Sequence, residues 1–129
     1  MEITKEEIKK RFLEYNEKYF DGILKTPRFG MNTWNNGIIG AFKNGHTKDG
    51  KPVDPEIRIA KYADFTEETL KGIIIHEMIH YYVVFHDGYD GWFSHGRRFR
   101  RVRKYLHDHF GLKIPMNGRH IKYKNEKKR

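Results

Sequence analysis

Apolar residues recur along the chain with changing rhythm, and each rhythm predicts an element. Ile8, Phe12, Tyr15 and Tyr19 fall three to four residues apart, the stripe of an amphipathic helix. Thr4 followed by Glu7 reads as a capping box, and Ile3 with Ile8 as the hydrophobic staple that fixes the entry of the chain. Asp21-Gly22 ends that helix. "RFGMNTW" and "GIIGAFK" are then short apolar runs on either side of Asn35-Asn36-Gly37, which predicts two strands joined by a hairpin turn. Residues 44–55 are polar and rich in turn formers, a loop, and the alternation in "EIRIA" (56–60) predicts a third strand.

From Leu70 to Phe85 the chain is apolar almost all round at helical spacing, through Ile73, Ile74, Ile75, Met78, Ile79, Val83 and Val84. Such a helix belongs at the centre of a small domain. Thr66 is its expected N-cap, Glu67 and Glu68 suit the positive end of its dipole, and Gly88 and Gly91 break it. A third helix is expected from about Ser94 to Phe110, with Phe99, Val102, Leu106 and Phe110 inward and Gly111 as its stop. The sum is an α+β domain: an N-terminal helix, a small three-stranded sheet, a buried helix and a basic C-terminal helix. The domain is expected over residues 1–114, with 115–129 a basic tail that is loose at its end.

Composition narrows the chemistry. The 129 residues suit one domain, and eight Tyr, nine Phe and two Trp can fill a small core. There is no cysteine, so disulfides, thiol catalysis and thiolate metal sites are excluded, and any metal must be held by His, Asp or Glu. No apolar run is long enough to span a membrane, and "MEITKEEIKKRF" lacks the core of a signal peptide, so an intracellular protein with no membrane partner is expected. Charge is unevenly placed. Residues 1–96 carry 13 Lys/Arg against 15 Asp/Glu, a net of −2, whereas 97–129 carry 13 against 2, a net of +11. Arg97, Arg98, Arg100, Arg101, Arg103 and Lys104 head that basic quarter and are candidates for contact with DNA; a solvated helix face and frayed tail would look the same.

"HEMIHYYVVFH" (76–86) interrupts the buried helix with polar groups. His76 and His80 lie one turn apart on one face, with Cβ atoms about 5–6 Å apart, which suits two imidazoles on one tetrahedral Zn²⁺. Glu77 between them is the general base of the H-E-x-x-H arrangement. With 8 His in the chain that pattern arises by chance in about one shuffled sequence in thirty. The apolar setting adds weight, because imidazoles and a carboxylate buried without partners or a metal are costly. His86 has the spacing of a third ligand, but Val83 occupies the place where the chain would need a glycine to turn. On a continuing helix His86 lies about 240° round and about 9 Å along from His80. His95 is the better third ligand: it follows the glycines of "HDGYDGWFS" and precedes Gly96. Three histidines leave a fourth position for water.

"YNEKYFDGIL" (15–24), "IIIHEMIHYY" (73–82) and "SHGRRF" (94–99) together resemble the SprT-like zinc metallopeptidase family (SprT/Spartan), over roughly residues 4–110. The resemblance implies a minimal zincin-like fold, zinc held by His76, His80 and His95, and Glu77 as catalytic acid/base. Spartan-type members degrade proteins crosslinked to DNA, which agrees with the basic quarter. The cysteine ribbon and long tail carried by members of the family have no counterpart in this sequence, which looks like a bare catalytic domain.

The expected function is therefore zinc-dependent hydrolysis of peptide bonds by a metal-activated water, on DNA-associated or DNA-crosslinked proteins. An outer strand near "GIIGAFK" would take the substrate as an added strand. Tyr81, Tyr82 and Arg97 are near enough in sequence to serve as oxyanion stabilisers but suit packing or surface roles as well. Met116 could lie beneath the metal or fill a gap, and Trp34 and Trp92 could stack on bases or on the core. Two rivals remain: a nucleic-acid-binding module with structural zinc, and a zinc peptidase without a link to DNA. A purely structural site has no need of Glu77.

Overall fold

The computed structural model describes residues 2–33, 35–88 and 95–124. Helix α1 (Lys5–Tyr19) starts where its cap predicts, with the Glu7 amide donating to Thr4 Oγ1 at 3.1 Å. Ile8, Phe12 and Tyr15 face inward. The helix also buries Asn16, whose side chain accepts from the Leu24 amide at 3.2 Å and donates to the Leu24 carbonyl at 2.8 Å. That pair of bonds closes the reversal at Asp21-Gly22, where both residues have positive φ (54° and 68°).

Three strands follow: β1 (Arg28–Asn32), β2 (Gly40–His46) and β3 (Pro52–Ala60). Their order in the sheet is β1-β3-β2, with β1 parallel and β2 antiparallel to β3. The expected β1–β2 hairpin is thus corrected. β3 takes the centre because its Ile57, Ile59 and Ala60 are fully enclosed and need cover on both sides. Asn35 and Asn36 do turn the chain, each side chain accepting an amide two residues on (Gly37 at 3.0 Å, Ile38 at 3.1 Å). That turn belongs to a crossing loop. The hairpin lies instead inside the expected polar loop, where Thr47 and Lys51 close the β2–β3 turn at 2.9 Å. A bulge between Lys43 and Gly45 bends β2.

A second small sheet pairs β4 (Ala63–Asp64) with β5 (Lys122–Tyr123). Through it, and through buried Ile114 and Ile121, the chain beyond α3 packs back on the body. Residues 125–129, expected to be loose, lie outside the described residues.

Helix α2 (Glu67–Tyr82) runs through the centre, enclosed by α1, the sheet and α3. Its N-cap is Thr66, in a capping box completed by Thr69. Leu70, Ile73, Ile74, Ile75, Met78 and Ile79 are all buried. Each contributes on the order of 1.5–3 kcal/mol when fully removed from water, which is why this helix can dispense with a polar face. A π-helical turn (Val83–Asp87) continues it to Gly88, whose φ of 101° ends it. Helix α3 (Arg97–Phe110) begins after Gly96, which provides no side-chain cap, and stops at Gly111 in the left-handed conformation. Its expected start at Ser94 lies outside the described residues. Phe99 and Leu106 are buried, whereas Phe110, expected inward, is 45% exposed at the helix end. Among the described residues, three α-helices, a three-stranded sheet and a two-stranded sheet make an α+β fold compatible with a minimal zincin. Among the described residues no helix is long and apolar enough to cross a membrane.

Candidate metal centre

Burial on α2 gathers the polar groups. His76 is 5% exposed and Glu77 4%, on a helix whose other faces are packed with isoleucine. His80 lies one turn on, and the turn just before α3 places His95 beside them. The ligand nitrogens of His76, His80 and His95 all lie within 4.8 Å of one another, so the three form a group able to hold a metal ion. Ring centroids are 4.8–5.1 Å apart around the triangle. Phe99 lies against all three rings at 4.7–4.9 Å, an apolar floor that fixes their positions.

His76 is oriented from behind. Its Nδ1 donates to the Pro115 carbonyl at 2.7 Å. A carbonyl can only accept, so Nδ1 carries the proton and the Nε2 lone pair points at His95 Nε2, 3.0 Å away. Two imidazole nitrogens facing each other at that distance suit a shared cation: a tetrahedral ion with metal–nitrogen bonds of about 2.0–2.1 Å sets its ligands about 3.3 Å apart. The electrostatics agree. Burial holds His76 down at about 4, its bond to Pro115 opposing this and the charges of His95 and Arg103 adding to it. Burial also lowers His95. Both rings are therefore neutral near pH 7, the form that ligates metal.

Glu77 sits one step round α2 from His76, and burial pushes its carboxyl up to about 8. It is backed by β2, where a Cβ on Gly40 would come within 3.0 Å of Glu77 Oε2 and 2.7 Å of Ile73 Cγ2. Only glycine lets the strand approach this closely. β2 is an edge of its sheet, so the strand nearest Glu77 has one side unpaired in the sheet.

Sequence reasoning missed the support behind the ligands. Gly72 lies one helical turn before His76, and a Cβ there would meet Pro115 Cδ at 3.1 Å. The glycine admits the segment whose carbonyl holds His76. A glycine inside a helix otherwise built of large apolar residues costs about 1 kcal/mol relative to alanine, and that was the available signal.

The remaining candidates separate cleanly. His86 is exposed on the π-helical turn and stacks on Tyr82 at 5.8 Å, outside the ligand group. Tyr81 is buried, stacks on Phe42 at 5.4 Å and donates its hydroxyl to the Lys25 carbonyl at 2.8 Å, a packing role. Tyr82 packs against Phe20. Met116 packs against the core immediately after Pro115. Trp34 and Trp92 lie outside the described residues.

The basic candidates divide as well. Arg98 Nε donates to the Asp87 carbonyl at 2.9 Å and Arg103 Nε to the Ile114 carbonyl, and both are half-buried. Lys104 pairs with Asp108 at 2.6 Å. Arg97, Arg100 and Arg101 are exposed.

The SprT-like family model matches residues 8–120. No curated protein matches the chain.

Proposed function

The chain belongs to the SprT-like family, and from that premise we propose that it is a zinc-dependent metallopeptidase acting on DNA-associated or DNA-crosslinked proteins. The observation that carries the reading is the convergence of His76, His80 and His95 beside a buried Glu77. An all-imidazole donor set in a chain without thiols suits zinc. When bound, the ion would supply Lewis acidity at the scissile carbonyl and a water of lowered pKa. The protein supplies the rest. The Pro115 carbonyl and Phe99 hold the three rings in place. Glu77 takes the proton of the attacking water and passes it to the leaving amine; burial raises its carboxyl in the metal-free protein, and a cation bound beside it would draw it back towards the ionised form that accepts a proton. The free edge of β2 aligns a substrate as an added strand, with its backbone amides and carbonyls as partners.

The DNA part of the proposal rests on the excess of cations after residue 96. One observation favours a peptidase that needs no nucleic acid: Arg98, one of the basic candidates, is already bound within the fold to the Asp87 carbonyl. The test is cleavage of a DNA-binding protein by zinc-loaded enzyme, with and without single-stranded DNA, against Glu77→Gln. The variant is expected to keep its metal and to lose about 10²–10⁴-fold in rate. Full proteolysis by the variant would sink the peptidase mechanism. Glu77-dependent cleavage that ignores DNA would discard the DNA-linked substrate alone.

A further inference from the structure

The cations of the last quarter are not spread evenly over the surface. Four of them, with His107 beside them, meet in one cleft between α3 and the segment that follows it. Arg100, Arg103, Lys104 and His107 come from α3 and Lys113 from the returning chain, around a cavity of about 620 Å³. Among the described residues no carboxylate lines it, although Asp108 pairs with Lys104 and His107 at its edge. An adjoining hollow shares Arg103, Lys113 and Ile114 and adds Gly72, Pro115 and His120, with Thr69 and the Glu68 carboxylate on its far wall. The two make a trough that runs from the outer face of α3 to the back of the metal centre, where Pro115 holds His76.

The walls are built rather than merely charged. Arg103 is held by its bond to the Ile114 carbonyl, so one guanidinium is fixed at the base of the cleft while Arg100 and Lys113 are exposed above it. A row of cations with a fixed member and exposed neighbours attracts a ligand with a repeated negative charge more than a single ion, because each neutralised charge releases its own counterion. A phosphodiester backbone has that repeat.

We propose that this cleft seats the phosphate backbone of a nucleic acid, with Arg100, Arg103, Lys104 and Lys113 as the contacts. The inference rests on the DNA part of the proposed function, and it divides the α3 cations differently from the sequence: Arg97, Arg98 and Arg101 lie outside the contact set.

The experiment compares two variants that remove equal charge. Arg100→Gln with Lys113→Gln empties the cleft, and Arg97→Gln with Arg101→Gln leaves it intact. All four side chains are exposed, so both proteins are expected to fold, and circular dichroism checks this. Binding of a fluorescein-labelled oligothymidylate and of a labelled duplex is followed by anisotropy across a salt series. The cleft variant is expected to lose at least about tenfold in affinity and to show a salt slope shallower by about 1.4 on the oligothymidylate or about 1.8 on the duplex, whichever the wild type binds, the values for two lost phosphate contacts. The control variant keeps the wild-type slope. Equal losses in the two variants, or loss in the control alone, overturn the cleft while leaving DNA binding in place. No binding by the wild type overturns the cleft and the DNA part together, and Glu77-dependent cleavage then still stands. Polyglutamate binding as tightly as the oligonucleotide, with the same dependence on Arg100 and Lys113, also overturns the assignment to nucleic acid.

Discussion

Helices α2 and α3 are close in length, 16 and 14 residues, and between them hold nearly all the candidate chemistry. They use polar residues in opposite ways. From Gly72 to Ile79 every residue of α2 is buried, so each polar side chain in that stretch must have a reason to be there: His76 has the Pro115 carbonyl and its two neighbouring imidazoles, and Glu77 has a glycine strand at its back. On α3 one stripe is buried and the rest faces water, where a cation costs nothing and needs no reason. Polarity on a buried helix therefore points to chemistry residue by residue. Charge on an exposed helix points only to a field, and the structure must say which cations are held by the fold.

If α2 is strained by its polar load, pH should reveal it in the metal-free protein. Glu77 rises from 4.5 to about 8 on folding, so its contribution is fully present below 4.5 and is lost as pH rises through about 8. His76 falls from 6.5 to about 4, so its contribution is present above 6.5 and is lost as pH falls towards 4. Between 4.5 and 6.5 the two oppose each other. Above 6.5 Glu77 acts alone, and stability is expected to decline by about 2 kcal/mol between pH 6.5 and 8. Urea melts of the metal-free protein measure this, and Glu77→Gln should flatten the decline. A wild-type curve that is already flat would mean that Glu77 is not desolvated, and the contrast with α3 would lose its main support.

The contrast sharpens with Gly72→Ala. Alanine favours the helix by about 1 kcal/mol, yet its methyl must displace Pro115, which lies 3.1 Å from the site of the added carbon. The carbonyl that orients His76 moves with it. Zinc affinity is expected to fall about tenfold, as for loss of an orienting partner behind a metal ligand, with no loss of fold. Competition with a chromophoric chelator reads the affinity and circular dichroism the fold. Unchanged affinity would show that Pro115 merely fills space.

Local signals carried the helices, because caps and stripes act within a few residues: Thr4 and Thr66 cap where expected, and Gly111 stops α3. His76 and His80 were legible because polar groups stand out on an apolar helix, His95 because glycines before it and Gly96 after it let the chain return, and His86 could be set aside on Val83 and helix geometry. Strand order was not legible. Pairing joins residues far apart in sequence, and nothing local says that Ile57 and Ile59 need cover on both sides, which places β3 between β1 and β2. The Pro115–His76 bond spans 39 residues and uses a backbone carbonyl, an atom that every residue has. The six α3 cations look alike in sequence, because whether an arginine is held depends on where a carbonyl from another segment ends.

That last distinction can be broken most directly on α3 itself. Arg103 and Arg101 are two residues apart, carry the same charge and differ in one respect: Arg103 Nε donates to the Ile114 carbonyl and Arg101 is exposed. Replacing each by glutamine removes the same charge from the same helix. Arg103→Gln takes the guanidinium from a half-buried carbonyl and should cost about 1 kcal/mol. Arg101→Gln should stay within about 0.5 kcal/mol of wild type, as for a surface substitution away from any bond. Urea denaturation of both variants in moderate salt decides between a helix whose cations are interchangeable and one on which they are sorted. Equal effects would mean that the Ile114 carbonyl is satisfied by water as readily as by Arg103, and the fold would then make no distinction among the cations of α3. A cost confined to Arg103 would show that part of the basic quarter is bound up in holding the Ile114–Pro115 segment against α2, where the same segment orients His76.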